Sequence, residues 1–199
     1  KSFRNEIVAG QFIFRTREFE QMEMQFFVPP GEEMAWYEEW KQRRMAWYQA
    51  LGFSDEEIGF HAHEQLAHYA NAAVDIEYAY PFGTKELEGI HSRTDFDLSR
   101  HQEYSGKKLQ YYDADRDEHY VPYVVETALG LDRLVLAMLA KAYDYEELEG
   151  GSSREVLRFP PAIAPMKVAI LPLVRKDGLP EIAGNIYQEL KYYFNCHYE

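Results

Sequence analysis

Arginines and a phenylalanine recur at fixed steps near the start of the chain. Arg4 and Glu6 form the pattern FRxE, and after a short loop Arg15, Phe19 and Glu23 follow at four-residue steps. Arginine suits phosphate because its planar guanidinium holds two oxygens at once and keeps its charge. An aromatic face can stack on a base. The pattern therefore predicts an ATP site with one arginine at the α-phosphate, a second at the β/γ-phosphates and an aromatic ring on adenine. A surface hairpin with ion pairs is the alternative, which the full spacing disfavours.

Such a site needs a hairpin to bring the two halves of the pattern together. Residues 12–27 partly alternate apolar and charged side chains, as paired strands do. With residues 3–7 before them and a turn at 8–11 between, they predict an antiparallel hairpin. Pro29, Pro30 and Gly31 end it.

The rest of the chain alternates short helical and strand patterns. Trp36, Trp40 and Trp47 lie near helical spacing, which predicts a helix over 32–51 whose aromatics belong to the core. The further elements expected are a helix after Ser54, a helix over 64–73, strands at 75–81 and 85–94, a pair at 107–112 and 120–126 around an acidic turn, and a helix over 130–142. The glycine- and serine-rich residues 146–154 predict a linker. A strand at 167–174 and a helix over 179–193 follow, typical of the first βα unit of an α/β domain.

Composition narrows the classes of function. The 199 residues carry a net charge of −13, which argues against a general nucleic-acid coat protein but not against an enzyme with a local basic patch. The single cysteine, Cys196, excludes an internal disulfide framework and a multi-cysteine zinc site and suits a reducing cytoplasm. No apolar run reaches the roughly 18–20 residues that span a bilayer.

Two motifs resemble those of a known enzyme family. FRxE…RxxxFxxxE is similar to motif 2 of class II aminoacyl-tRNA synthetases, and residues 126–133 (ETALGLDR) resemble motif 3. The segments FRTREFEQMEMQFF, LAHYANAAVDIEY, PFGTKELEGIHSRTDFDL and PPAIAPMKVAILPLVRKDGLPEIA are similar to bacterial glycyl-tRNA synthetases of the homodimeric type. The resemblance covers essentially the whole chain.

The resemblance implies an α+β fold: an antiparallel sheet flanked by helices, then the start of an α/β anticodon-binding domain. Residues 1–149 would be a partial catalytic domain, with motif 1 lying before Lys1, and residues 150–199 a linker and the beginning of the anticodon-binding domain. The implied reaction activates glycine with ATP and Mg²⁺ to glycyl-adenylate and transfers it to the 3′ end of tRNA(Gly). The family is homodimeric and cytoplasmic, and no membrane or DNA partner is expected.

Residue roles follow from the same resemblance. Arg4 would stabilise charge at the α-phosphate and Arg133 would clamp the γ-phosphate, so both are expected to be catalytic. The expected ATP-binding residues are Arg4, Asn5, Glu6, Phe14, Arg15, Thr16, Arg17, Glu18, Phe19, Glu86, Leu87, Gly130, Leu131, Asp132 and Arg133. Glu86 is the expected Mg²⁺ ligand, with Glu88 a weaker candidate.

The glycine site is expected on both motifs. Its expected residues are Phe19, Glu20, Gln21, Met22, Glu23, Glu126, Thr127, Ala128, Leu129 and Gly130. Glu23 and Glu126 would bind the ammonium group, and close packing would exclude any side chain on the substrate. The chain departs from the usual family pattern at Ala128, where serine is usual, and at Gly10, where arginine is frequent.

These departures keep alternatives open. One is a catalytically impaired, synthetase-like accessory subunit, and another is a synthetase for threonine, proline or histidine. The histidines at 61, 63 and 68 could suggest zinc, but helix packing is the preferred interpretation because no fourth ligand is near. The acidic residues 113–118 lack the glycine and final glutamate of a calcium loop.

Overall fold

The computed structural model describes residues 1–199, which form one unit over 1–156 and another over 157–199. The first unit contains, in chain order, β1 (Ser2–Phe3), β2 (Glu18–Phe19), β3 (Gln21–Val28), α1 (Glu33–Ala50), β4 (Ile58–Ala62), β5 (Ala72–Tyr80), β6 (Gly83–Thr94), α2 (Phe96–Ser105), β7 (Tyr111–Asp113), β8 (Glu118–Tyr120), β9 (Tyr123–Gly130), α3 (Leu131–Ala142), β10 (Tyr143–Glu147) and β11 (Ser153–Leu157). The second contains β12 (Val168–Ile170), α4 (Leu179–Leu190) and β13 (Cys196–Tyr198).

A five-stranded antiparallel sheet, in the order β3-β9-β6-β5-β4, forms the centre of the first unit. One face is apolar and carries the fully buried Ile90, Val125 and Leu129. Helix α1 packs against β6 and β9. Its Tyr37 and Tyr48 are buried, whereas the tryptophans at 36, 40 and 47 are half-buried. The predicted α+β class with a mainly antiparallel sheet is confirmed.

A buried ion pair joins α1 to this sheet. Glu88 on β6 is fully buried, and Arg44 Nε and Nη2 lie 2.6 and 2.9 Å from its two carboxylate oxygens. The Tyr48 hydroxyl donates to the same carboxylate at 2.6 Å. Burial first, and then the neighbouring Glu88 carboxylate, raise the pKa of Tyr48. Glu88 is therefore neither an outward strand carboxylate nor a group near a metal site.

The predicted hairpin pairs over a shorter length than expected. β1 and β2 are antiparallel, with Ser2 opposite Phe19, and a single bridge joins Gly10 to Arg15. The prediction of a continuous strand from residue 12 is wrong, because Gln11 and Phe12 take positive φ angles of 58° and 55° and turn the chain. The segment between the two strands is therefore a loop rather than a ladder.

Two predicted helices are absent. After Ser54 the capping interaction forms, since the Ser54 N–H donates to Glu57 Oε2 at 2.8 Å. The chain then pairs as the edge strand β4 with β5, and Ile58 is buried there. Burial on the sheet outweighs the local preference for a helix. Residues 64–71 form turns before β5.

Helix α2 has local end signals that the sequence interpretation overlooked. The Ser99 hydroxyl and backbone N–H bond back to Asp95 at the N-terminus, and Gly106 ends the helix with φ 68°. The predicted pair at 107–112 and 120–126 forms only in part: β7 and β8 make a short hairpin around the acidic turn, and the residues from Tyr123 onward belong to β9 of the central sheet. The predicted linker glycines Gly150 and Gly151 form the turn between β10 and β11, with φ angles of 93° and 80°.

The second unit is a small βαβ arrangement. β12 and β13 pair in parallel, with Val168 opposite Cys196, and α4 joins them. The predicted strand is shorter than expected because Pro172 cannot donate to a ladder. Its identity as the start of an anticodon-binding domain stays a prediction.

Candidate active site

A cavity of about 430 Å³ opens on the polar face of the five-stranded sheet. Its walls come from the motif-2-like loop, the ends of β3 and β9, the middle of β6 and the start of α3. The lining residues are Arg4, Glu6, Ile13, Phe14, Arg15, Thr16, Phe19, Glu20, Gln21, Glu23, Tyr69, Glu86, Gly89, His91, Arg93, Glu126, Ala128, Gly130, Asp132 and Arg133. Both sequence motifs therefore contribute to one cavity.

Strand alternation decides which residues face the cavity. On β9, Glu126, Ala128 and Gly130 line it, while Thr127 and Leu129 are buried on the opposite face. The same alternation on β6 is interrupted by a register shift between Glu86 and Glu88 in the pairing with β5. Glu86 lines the cavity and Glu88 does not, because the extra residue of a bulge reverses the direction in which the next side chains point.

Pairing across strands aligns two rows of side chains at and beside the cavity floor. Glu23 on β3 is opposite Ala128 on β9, which is opposite Gly89 on β6. The second row lies two residues earlier on β9. It aligns Gln25 on β3, Glu126 on β9 and His91 on β6. The first row combines a carboxylate with two very small residues, so it leaves space beside a negative charge.

Arginines cluster at the other end of the cavity. The Arg133 guanidinium lies 4.3 Å from the centre of the Phe14 ring, donates to the Phe14 carbonyl at 3.2 Å and pairs with Glu86 Oε2 at 2.9 Å. The Arg4 guanidinium lies 5.1 Å from the centre of the Phe19 ring. This end can hold an anion and a flat aromatic group next to each other.

Hydrogen bonds hold the loop and the helix start together. Arg15 pairs with Glu6 at 3.3 Å, and Arg17 Nε donates to the Glu6 carbonyl at 3.0 Å. The Glu20 N–H donates to Asp132 Oδ2 at 3.0 Å, so the motif-2-like segment is bonded directly to the first turn of α3. A Cβ at Gly130 would lie 3.3 Å from Arg133 Cδ, so glycine there gives that side chain room.

Glu126 carries the strongest electrostatic feature of the cavity. Burial by itself would raise its pKa, but the polar contacts with His91 and Gln25 and the charge of Arg93 outweigh it and lower the pKa to about 2. Arg93 Nη1 lies 3.1 Å from Glu126 Oε1. The carboxylate is therefore ionised at any physiological pH and can bind a cationic group.

Not all predicted residues line the cavity. Those outside its lining are Asn5, Arg17, Glu18, Met22, Leu87, Thr127, Leu129 and Leu131. Leu87 and Leu129 are fully buried in the core, and Met22 is exposed. The predictions include whole motif segments, whereas alternate positions of a strand face opposite sides.

Five lining residues were missed by sequence reasoning: Ile13, Tyr69, Gly89, His91 and Arg93. The last three recur at steps of two on β6, but counting by twos from Glu86 would have selected the buried Glu88, Ile90 and Ser92, because the bulge shifts the alternation. Tyr69 has no comparable signal, because it comes from the turns before β5 and reaches the site through its ring, which lies 4.1 Å from the Arg93 guanidinium.

The metal prediction depends on a single carboxylate. Glu86 is half-exposed and lines the cavity beside Arg133. No group of three or more His, Cys, Asp or Glu side chains that could hold a metal is present in residues 1–199. Mg²⁺ is commonly held by one or two carboxylates together with phosphate oxygens, so this donor set fits a nucleotide-borne ion rather than a protein-only one.

The histidines considered for zinc each make a separate contact. His63 Nε2 pairs with Asp75 at 2.9 Å, His61 lies 3.9 Å from Glu77, and His68 packs edge-on against Phe96. They lie on β4 and in the turns after it, so the expectation that they pack within a helix is wrong.

No helix of the structure is long and apolar enough to cross a membrane.

Comparisons with known proteins agree with the two motifs. Residues 1–142 match the family model of the tRNA synthetase class II core domain (G, H, P, S and T). The whole chain is 52% identical to the glycine–tRNA ligase of Treponema denticola over 206 residues, 53% to that of Borrelia hermsii and 52% to that of Geobacillus kaustophilus. The chain spans 46%, 46% and 43% of the lengths of these curated relatives.

Proposed function

The chain belongs to the family of class II tRNA synthetase core domains, and we propose that its protein is a glycine–tRNA ligase. It activates glycine with ATP to glycyl-adenylate and then transfers the glycyl group to the 3′ end of tRNA(Gly). The relatives that match the whole chain are named as glycine–tRNA ligases.

One observation carries the proposal. A single cavity has arginines and an aromatic ring at one end and, at the other, carboxylates above a floor of Ala128 and Gly89. The first end suits a nucleoside triphosphate. The second suits an amino acid that has a cationic group and no side chain.

The activation step needs little chemistry from the protein beyond placement and charge. The glycine carboxylate oxygen bonds to the α-phosphorus in line as the bond to the β-phosphate oxygen breaks, and pyrophosphate leaves. Arg4 stabilises the negative charge that grows at the α-phosphate, which is where a fixed donor gains most. Arg15 and Arg133 bind the β- and γ-phosphates, and Phe19 stacks on adenine beside Arg4.

The other predicted ATP residues support this arrangement. Glu6 orients Arg15, and Asp132 bonds the loop to α3. Asn5, Thr16, Arg17 and Glu18 shape the loop. Leu87 is buried and fixes the backbone beside Glu86, so that Glu86 lies at the cavity. Leu131 is the first residue of α3, and its N–H donates to the Glu20 carbonyl at 2.9 Å.

Mg²⁺ would be held by Glu86 together with phosphate oxygens and would supply positive charge to the triphosphate. Glu86 pairs with Arg133 in the structure. Nucleotide binding would therefore exchange one protein ion pair for two contacts, from Arg133 to phosphate and from Glu86 to the metal.

Glycine selectivity comes from the amino-acid end. Glu23 and Glu126 bind the ammonium group, and Thr127 and Leu129 pack on the buried face of β9 behind the cavity floor. Steric exclusion can be strict, because adding even one methyl group to a close-packed wall is destabilising.

The alternative of an accessory binding subunit finds no support, since the relatives are named as ligases and Arg4, Arg15 and Arg133 are all at the cavity. A threonine, proline or histidine enzyme lacks support among those relatives too. We further propose, from the motif resemblance, a cytoplasmic homodimer that binds tRNA(Gly) in part through an anticodon-binding domain, with residues 150–199 as a linker and the beginning of that domain.

The test is ATP–pyrophosphate exchange measured on the full-length protein with each of the twenty amino acids. Exchange with glycine, and at least about 100-fold less with alanine, is the expected result. Exchange with another amino acid in preference to glycine, or with none, would refute the proposal. Charging of tRNA(Gly) transcripts tests the second step separately.

A further inference from the structure

Three side chains from neighbouring strands surround the Glu126 carboxylate. Gln25 donates to Oε2, Arg93 Nη1 lies 3.1 Å from Oε1, and His91 Nδ1 lies 3.5 Å from the same oxygen. Only 12% of the Glu126 side chain is exposed. Its direction is therefore set by these neighbours rather than by solvent.

His91 differs from the other two in having an unsatisfied polar atom. Its Nδ1 is buried and makes no hydrogen bond, although it faces Glu126 directly across the β6–β9 pair. Arg93, in contrast, is already anchored, by Asp97 at 2.7 Å and by the Tyr69 ring. The distance from His91 Nδ1 to Glu126 Oε1 is slightly longer than a normal hydrogen bond. A movement of a few tenths of an ångström would bring the nitrogen close enough to donate to the carboxylate.

Gly89 gives the His91 ring its place. A Cβ at residue 89 would lie 2.7 Å from His91 Cε1, closer than real carbon contacts. The backbone of Gly89 is not in the left-handed region, so glycine is required here for space and not for conformation. Any side chain at 89 would push the ring away from its position beside Glu126.

We propose that His91 is a positioning residue of the amino-acid site, whose Nδ1–H donates to Glu126 Oε1 and fixes the carboxylate toward the substrate ammonium group, with Gly89 supplying the space for the ring. The inference rests on the proposed function, since it assigns Glu126 to the amino acid. Hydrogen bonds of catalytic sites often shorten when substrate binds. A shift of a few tenths of an ångström closes the 3.5 Å separation between His91 Nδ1 and Glu126 Oε1.

Substitution of His91 should therefore change the KM for glycine and leave the KM for ATP nearly unchanged. His91→Leu should raise the KM for glycine about 10-fold, the size expected for one hydrogen bond to a charged group. The KM for ATP should stay within about twofold, because the hydrogen bonds of Arg15 and Arg133 do not involve His91. His91→Asn keeps an N–H donor near the Nδ1 position and should restore most of the affinity for glycine. A histidine needed only for folding would change both constants, or neither.

The control is His61→Leu. His61 is also a strand histidine facing a carboxylate, Glu77 at 3.9 Å, but it is exposed and does not line the cavity. Both constants should remain at their wild-type values.

A double-mutant cycle tests the part assigned to Gly89. Gly89→Ala should raise the KM for glycine in the wild-type background, because it displaces the ring. In the His91→Ala background the same change should cost less than about twofold, because no ring remains to be displaced. An equal cost in both backgrounds would mean that the added methyl group crowds the substrate directly, and would overturn the role given to Gly89.

The experiment is exchange kinetics for glycine and ATP on these variants of the full-length protein. If the wild type exchanges glycine and His91→Leu leaves its KM unchanged, this inference falls and the proposed function stands. If the wild type activates no amino acid, the proposed function falls and the inference falls with it.

Discussion

At the scale of single residues, the two ends of the cavity depend on different forces. The end that we propose for phosphate places cations beside aromatic rings, with Arg133 on Phe14 and Arg4 on Phe19. The end that we propose for the amino acid depends on the small size of Gly89 and Ala128 as much as on its carboxylates. Substitutions at the two ends should therefore affect different kinetic constants.

Arg4→Ala tests the phosphate end. Removing one preorganised donor at a developing charge costs about 10²–10³-fold in rate. We expect the exchange rate to fall by that factor, with the KM for glycine little changed. Arg43→Ala, on the exposed side of α1, is the control and should be fully active. An Arg4→Ala protein with wild-type exchange would contradict the assignment to the α-phosphate.

Ala128→Ser tests the departure from the usual family pattern. Ala128 lines the cavity between Glu23 and Gly89. A hydroxyl there can bond to the bound amino acid, and a neutral hydrogen bond contributes about 0.5–1.5 kcal/mol. The variant should bind glycine several-fold more tightly and discriminate better against alanine, with an unchanged KM for ATP. Glycine and alanine exchange kinetics on both proteins provide the measurement, and equal constants would show that residue 128 does not contact the substrate.

At the scale of elements, the sheet separates function from stability by its two faces. The cavity face carries Glu126, Ala128 and Gly130, and the core face carries Glu88, whose carboxylate bonds to α1. Because of the bulge between Glu86 and Glu88, the side chains of these two residues point to opposite faces of the sheet. The buried pair between Arg44 and Glu88 is therefore expected to affect stability and not substrate binding.

Arg44→Met should destabilise the protein by about 3–5 kcal/mol, because it leaves the Glu88 carboxylate buried without a cation. Arg43→Met is the matched control on the same helix. Arg43 pairs with Glu39 at the surface, where its loss should cost less than about 1 kcal/mol. Urea denaturation monitored by circular dichroism gives both values.

A double variant adds a check on the mechanism. Arg44→Met combined with Glu88→Leu removes both charges and should recover part of the lost stability. Equal stability of Arg44→Met and Arg43→Met would mean that the buried pair is not what holds α1 to the sheet.

At the scale of the whole molecule, stability should depend on acid through Glu126. Its folded pKa, about 2, lies below the ordinary value of 4.5. A depressed carboxylate pKa stabilises the fold above the unfolded value, and the contribution disappears as pH falls toward the folded value. The whole effect is roughly 3 kcal/mol, of which about 2 kcal/mol is lost by about pH 3.

The measurement compares the free energy of unfolding at about pH 6 and about pH 3 for wild type and Glu126→Gln. The wild type should lose about 2 kcal/mol more than the variant over this interval, since the variant lacks the titrating group. The other carboxylates act equally in both proteins. Parallel pH profiles would contradict the depressed pKa.

Local patterns were enough to predict the family, the two motifs and the long regular elements. The spacing of Arg4, Arg15 and Phe19 is a chemical pattern that is legible without coordinates, and the match of residues 1–142 to the class II core agrees with the family it suggested. Helices α1 and α3 were predicted within a residue at either end, because each has an uninterrupted helical pattern. Each of these features depends on a short stretch of sequence, so it can be predicted from that stretch alone.

The facing of residues toward the cavity and the pairing of segments could not be predicted in this way. Residues Ile58–Ala62 form a strand because they pair with β5, although the preceding capping interaction is typical of a helix. Strand alternation and one bulge sent Glu86 and Glu88 to opposite faces. The position of His91 beside Glu126 depends on the register between β6 and β9, strands that are distant in sequence. Register is fixed by burial summed over a whole sheet, and no short window of sequence contains that sum.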